Sequence, residues 1–253
     1  MIRFEHPLSE RIRNFLRIEH LFNRFHDESG CPQSVWSHHL ALLTLFEMME
    51  CAGRAELKLD ILQELERQKR ILQRQDSGET VCAALERIHS VTADLQAVQQ
   101  KFGQHLRENE WLMAIKQRML VPGGTSPLDL PSYYYWQQLP YEVRKADLQG
   151  WIAMLLPTCR AVRVLLDILR ANAWKVASVA EKGNYHHASL AQNIHLLGID
   201  VAPDYQALPE VSANKYFTHI RFVAASRESA RGKLVECDVP FELVMCSFDP
   251  VME

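Results

Sequence analysis

The residues of this 253-residue chain best suited to chemistry are basic side chains placed where regular elements begin and end. Arg54 and Lys58 stand at the start of a long helical run, Arg118 precedes a proline-glycine turn, and Arg221 lies in a strand-like run. Were they to converge, they would form a concave cationic patch suited to the carboxylates of a peptide or terminal tail. A planar guanidinium holds a carboxylate through two hydrogen bonds, which an ammonium cannot do. Taken singly, each of these charges also reads as ordinary solvated surface.

Other chemistry finds less support. His38-His39 and His186-His187 are adjacent residues, which on a helix point about 100° apart, and neither pair has the i, i+4 spacing of a helical zinc site. They read as surface or packed histidines, and no metal or cofactor is expected. Pro122-Gly123-Gly124-Thr125-Ser126 is glycine-rich but lacks the lysine of a phosphate loop, so it reads as a structural turn. No serine has a G-x-S-x-G setting. Cys31, Cys51, Cys82, Cys159, Cys237 and Cys246 include no C-x-x-C pair, which favours reduced, buried thiols over a disulfide or zinc framework. The main rival to a peptide binder is an enzyme acting on a small anionic substrate in the same basic cleft, and it would need a nucleophile or general base beside the arginines.

Charge narrows the partners. With 28 Lys+Arg against 31 Asp+Glu the formal charge is -3, so no global field draws in nucleic acid or an anionic membrane. No stretch reaches the roughly 20 apolar residues that span a bilayer, and Met-Ile-Arg-Phe-Glu-His-Pro-Leu carries charges where a signal peptide is apolar. A cytoplasmic protein that neither inserts in membranes nor binds nucleic acid is expected.

Elements that position these residues follow from periodicity. Leu8, Ile12, Phe15, Ile18, Phe22 and Phe25 recur at spacings of three and four, giving one helix face, backed by a basic stripe of Arg13, Arg17, His20 and Arg24. A second helix starts after Pro32 with Ser34 as cap and Trp36, Leu40, Leu43, Phe46 and Met49 on one face. Leu57, Ile61, Leu65, Gln68 and Leu72 predict a helix over about 55–75. Asp76-Ser77-Gly78 turns the chain, and Val81, Leu85, Ile88, Leu95, Val98 and Phe102 return along it as a long α-hairpin. Leu106 to Leu120 is helical. Leu130-Pro131-Ser132-Tyr133-Tyr134-Tyr135-Trp136 predicts a short strand or extended arm, because rings suit a pleated surface. Helix returns over Tyr141 to Asn172. Strands are expected at Asn193–Leu197, Lys215–Ala225 and Leu234–Phe248, with Ser226–Lys233 as a hairpin loop and Pro240 at an edge or bulge.

The expected class is α+β, a mostly α-helical domain with a long helical hairpin plus a smaller antiparallel β domain. The helical domain would take residues 1–120 and 141–175, and the β-rich domain residues 121–140 and 176–253.

Several of these stretches, in register over nearly the whole chain, carry a family resemblance. Phe4-Glu5-His6-Pro7-Leu8 running into Phe15-Leu16-Arg17-Ile18-Glu19, then Leu106-Arg107-Glu108, Gln117-Arg118, Val121-Pro122-Gly123-Gly124 and Leu128-Asp129-Leu130-Pro131, and finally Ile220-Arg221-Phe222, resemble the ZapD family. The resemblance implies a non-enzymatic homodimer, recruited to the division site at mid-cell. It implies that a basic pocket receives the short C-terminal tail of FtsZ, so that filaments are crosslinked and the Z-ring is stabilised. By matching position, Arg54 and Arg221 are the pocket residues it implies; Lys58, Arg118 and Arg17 are second-rank candidates, which read equally well as helix-surface charges. Where the family has a basic residue four before the Arg221 position this chain has Phe217, and Lys215, on the same face of a regular strand, is the residue placed to compensate.

Overall fold

The computed structural model describes residues 1–31, 34–51, 57–74, 78–188, 193–213, 217–227 and 232–249. The chain forms two compact units, Asn14–Leu165 and Met1–Arg13 with Leu166–Glu253. Among the described residues the elements are, in chain order, β1 (Ile2–Pro7), α1 (Glu10–Ser29), α2 (Val35–Cys51), α3 (Leu57–Leu72), α4 (Glu79–Ala97), α5 (Gln104–Arg107), α6 (Glu110–Met119), α7 (Pro131–Gln138), α8 (Tyr141–Ile152) and α9 (Leu156–Ala171), followed by further strands. These are β2 (Ala173–Ala180), β3 (Asn184–Ala188), β4 (Ile194–Val201), β5 (Ala207–Ala213), β6 (Phe217–Ala224) and β7 (Val239–Ser247). The class is therefore α+β, with a long helical hairpin and antiparallel sheets, as the sequence implies.

The helical unit is built on the expected period. Phe15, Ile18, Leu21 and Phe25 of α1 are buried, and Ile61 and Leu65 of α3 and Ile88, Val91 and Leu95 of α4 fill the hairpin seam. Gly78 is the N-cap of α4, while Asp76 and Ser77 of the expected turn lie outside the described residues. On α2 the expected face is corrected. Ser34 does cap it, its Oγ accepting the Trp36 amide at 3.1 Å. Yet Trp36 is 63% and Leu40 48% exposed, and His38, Ala41, Leu42, Thr44, Leu45, Phe46, Met48 and Met49 are buried instead. The helix is apolar almost all round, so its period selects no single face.

A second correction concerns Leu130–Trp136, which forms no strand. Pro131 sits in the first turn of α7, where a missing amide hydrogen costs nothing and the fixed φ suits a helix. Tyr133, Trp136 and Gln137 are buried on one side, the i, i+3, i+4 pattern, while Tyr134 and Tyr135 are exposed. Packing decides the matter. Tyr133 and Trp136 stack at 5.8 Å between ring centroids, and Trp111 and Trp151 lie 6.0 and 5.8 Å from Trp136.

Among the described residues the β unit holds two antiparallel sheets, one ordered β1-β4-β7-β2 and the other β3-β6-β5. Ile199, Val201, Phe241 and Leu243 from the first and Ala207, Ile220 and Phe222 from the second share one buried core. β4, β6 and β7 fall within or beside the expected runs; β1, β2, β3 and β5 are additional. The Ser226–Lys233 hairpin is half right. Val223 bridges Leu234, and the Ala224 and Val235 amides bond the Lys233 and Phe222 carbonyls at 2.8 and 2.9 Å, but β6 and β7 then belong to different sheets. Gly232 permits the crossing, because a Cβ there would stand 2.6 Å from the Ala224 carbonyl oxygen. Pro240 is likewise not on an edge strand. It pairs with Val179 in β7, one residue before the β4 ladder starts at Phe241, so one flank demands no donor.

β1 is held by two forked ion pairs. Arg3 donates to Asp200 across the register at 2.7 and 2.6 Å, and Arg170 of α9 donates twice to Glu5 at 2.8 Å. The hydrogen bond from Arg3 holds the nearly buried Asp200 carboxyl below its ordinary value. A depressed carboxylate stabilises the fold above the unfolded pKa of about 3.9, and that contribution is lost as pH falls through the folded value. Asp200→Asn is therefore less stable than the parent at pH 7, and the difference shrinks below about pH 4. Urea midpoints across pH 7 to 3 check this; a constant gap would exclude the linkage.

Candidate functional site

Among the expected basic residues, Arg221 has the clearest setting. β6 alternates, burying Thr218, Ile220 and Phe222 and turning Phe217, His219 and Arg221 to the outer face of the three-stranded sheet. Arg221 is exposed, stands between Asn184 of β3 and Glu210 of β5, and makes no hydrogen bond or ion pair with another described residue. One step along the face, His219 stacks on His186 at 4.1 Å with the rings 7° from parallel. Burial chiefly, then the charges of His186 and Arg221, lower the His219 pKa, which favours its neutral form. Phe217 completes the face and is 48% exposed. The result is an apolar and cationic strip that can hold a carboxylate beside an apolar side chain. Arg54 and Lys215 lie outside the described residues.

The helical unit places the other candidates apart. Lys58 of α3 is a helix cap: its Nζ donates to the Val98 carbonyl at 2.7 Å and to that of Gln96 at 3.4 Å, where α4 has run out of amide partners. Removing it by Lys58→Met should cost roughly 1 kcal/mol, the usual worth of a charge-assisted bond discounted for exposure. Loss of amide protection in the last turn of α4 would register this, and unaltered exchange there would reject it. Arg118 is exposed in the last turn of α6, and its carbonyl accepts the Val121 amide at 3.0 Å. A Cβ at Gly124 would lie 2.5 Å from that carbonyl oxygen, so the glycine turn has a structural cause.

Arg17 is exposed on α1 and lines a recess of about 610 Å³ with Leu21, Leu43, Phe46, Lys116 and Met119. Glu50 in its wall pairs with Lys116 at 2.5 Å, and Glu47 pairs with Arg24 at 2.7 Å. Lys116 was not among the expected residues. It stands one helical turn from Leu112 and Met119, a spacing that puts it beside the apolar side of α6 and would have identified it. Lys58 and Arg118 do not line this recess.

The histidines act in packing. His38 is buried against Tyr141 at 5.2 Å, and His39 Nδ1 lies 2.7 Å from the Tyr133 hydroxyl. Burial lowers both pKa values. Among the described residues no three His, Cys, Asp or Glu side chains converge as metal ligands, and no helix is long and apolar enough to cross a membrane.

Comparison with known proteins agrees over nearly the full length. A family model described as ZapD, cell division protein, matches residues 16–221. Curated relatives named cell division protein ZapD are similar to this chain. That of Chromobacterium violaceum is 46% identical over 253 residues, covering 98% of this chain and 100% of the relative. Those of Aromatoleum aromaticum and Janthinobacterium sp. (strain Marseille) are 42% and 44% identical, each over 98% of this chain and over 98% and 100% of the relative.

Proposed function

The chain belongs to the ZapD family of cell division proteins, and from that premise we propose that it grips the flexible C-terminal tail of FtsZ with surface arginines and, as a homodimer, ties filaments together. As a member of this family it is an FtsZ-binding adaptor that stabilises the Z-ring by bundling, and it is not an enzyme. Arg221 and Arg54 carry the tail contact, with Lys58, Lys215, Arg118 and Arg17 as second-rank contributors. The protein works in the cytoplasm and is recruited to the division site at mid-cell.

The observation that carries this reading is the exposed guanidinium of Arg221, which bonds to no other described residue and shares a sheet face with Phe217. A disordered tail must offset its ordering by burying one or two apolar side chains and by charge-assisted hydrogen bonds, and this face offers both. Single-site affinity is then moderate. Two copies raise it through effective concentration, because the second tail on a captured filament binds almost intramolecularly. Sedimentation of FtsZ polymers tests the reading. The protein should pellet with full-length FtsZ and thicken its filaments, and remain in the supernatant with FtsZ lacking its tail; equal pelleting with both would refute the tail as the site.

A further inference from the structure

Among the described residues, the four-stranded sheet begins at β1, which no strand pairs on its far side. Along β1, Ile2 faces Val201, Phe4 faces Ile199 and His6 faces Leu197, and one step beyond the Leu8 amide donates to the His195 carbonyl at 3.0 Å. Bonded pairs alternate in an antiparallel ladder, so the even-numbered residues exchange bonds with β4. The main-chain N–H and C=O groups of Arg3 and Glu5 therefore point away from the sheet, and neither amide donates to another described residue. Their side chains are clamped on Asp200 and Arg170, which fixes the strand and leaves its edge without a partner among the described residues.

The edge of β5 differs. The Phe222 amide donates to the Gly183 carbonyl at 2.7 Å, so on its other side the Phe222–Pro209 pair is unbonded and Pro209 turns its nitrogen outward. Proline there supplies no donor, a common way to blunt an edge. β1 has no proline before Pro7.

Beside the β1 edge lies a recess of about 660 Å³, opening onto the core between the two sheets and lined by Ile2, Phe4, Val201, Ala207, Leu208 and Arg227 among others. Its size is that of an ordinary ligand site. Among the described residues no carboxylate lines it, and Arg227 is its one charged wall residue. Ile2 and Leu208 stay 47% and 41% exposed at its mouth. Open backbone groups, an adjacent apolar cavity and a single cation match an extended acidic peptide with an apolar anchor.

We infer that β1 receives such a peptide by strand addition. The peptide pairs with the main chain of Arg3 and Glu5, drops an apolar side chain into the recess and sets a carboxylate against Arg227. This rests on the tail reading above, which makes the peptide the C-terminal tail of FtsZ and adds a backbone-bonded segment to the part that Arg221 holds.

Hydrogen exchange on the full-length protein, with and without a synthetic peptide of the FtsZ C terminus, tests the inference. The Arg3 and Glu5 amides should slow at least about tenfold when the peptide is added, since paired edge amides exchange through opening. Arg227→Glu and Ala207→Phe, which fills the recess, should each weaken the peptide about tenfold or more, and methylating alternate peptide amides should do the same. If the peptide binds the parent but leaves these amides fast and both variants at parental affinity, strand addition is overturned and the tail reading stands. Failure to bind the parent overturns both. Protection without peptide that grows with protein concentration means that a second copy occupies the edge, which also overturns it.

Discussion

Arg221→Glu leaves the protein folded and removes its hold on the FtsZ tail, with peptide affinity falling at least about 30-fold in calorimetric titration. The folded state tolerates the change because the guanidinium is exposed and bonds to no described residue, so its loss leaves no described group without a partner. The new carboxylate does face Glu210 across the register, and a like-charged cross-strand pair costs up to about 1 kcal/mol. Binding suffers more. Truncating one side of a desolvated charge pair costs about 2–5 kcal/mol, and 2 kcal/mol is already about 30-fold. Arg221→Gln, which removes the charge without repelling the ligand, should fall between parent and Arg221→Glu. Arg54→Glu is expected to match Arg221→Glu. Raising salt from 0.1 M to 1 M shortens the screening length from about 10 Å to about 3 Å, so the parent should lose affinity with salt and the charge-reversed variants much less. Parental affinity in both variants would take these arginines out of the site.

Arg221 was readable in the sequence because a strand alternates, and alternation fixes which face a residue takes. Its neighbours were not readable, since Asn184 and Glu210 reach it only through the registers of β3 and β5. Lys58 makes the same point in the helices. The sequence placed it correctly at the start of α3, but its partner is a carbonyl at Val98, 40 residues away, exposed by the end of α4. The α3–α4 hairpin was legible from its 3.6-residue period, whereas α2 was not, because a helix apolar on nearly every side gives no phase. β1 escaped notice because six residues with charges at Arg3 and Glu5 carry too short an alternation to stand out beside the helix that follows.

Leu130–Trp136 shows most sharply how packing overrides local preference, and substitution along it has the largest effect expected on stability. Trp136→Ala should cost about 3–5 kcal/mol, the usual loss for emptying an aromatic site in a core. Trp136 is 5% exposed, is ringed by Trp111, Tyr133 and Trp151, and donates its indole N–H to Asp147 at 2.9 Å. The substitution thus leaves a cavity and strands an acceptor. Tyr133→Ala should be similarly costly, because Tyr133 is fully buried against the same rings, while Tyr134→Ala and Tyr135→Ala should cost little, with side chains 43% and 69% exposed. A strand would give a different pattern, since alternate residues share a face and Tyr134 would behave like Trp136. Urea unfolding followed by tryptophan fluorescence reads the helical unit directly, because Trp36, Trp111, Trp136 and Trp151 lie in it and Trp174 does not. A loss of 3 kcal/mol lowers the midpoint by about 1 M or more. Large and equal losses at Tyr134 and Trp136, with little at Tyr133, would mean that the segment is extended and that the aromatic cluster does not hold α6, α7 and α8 together.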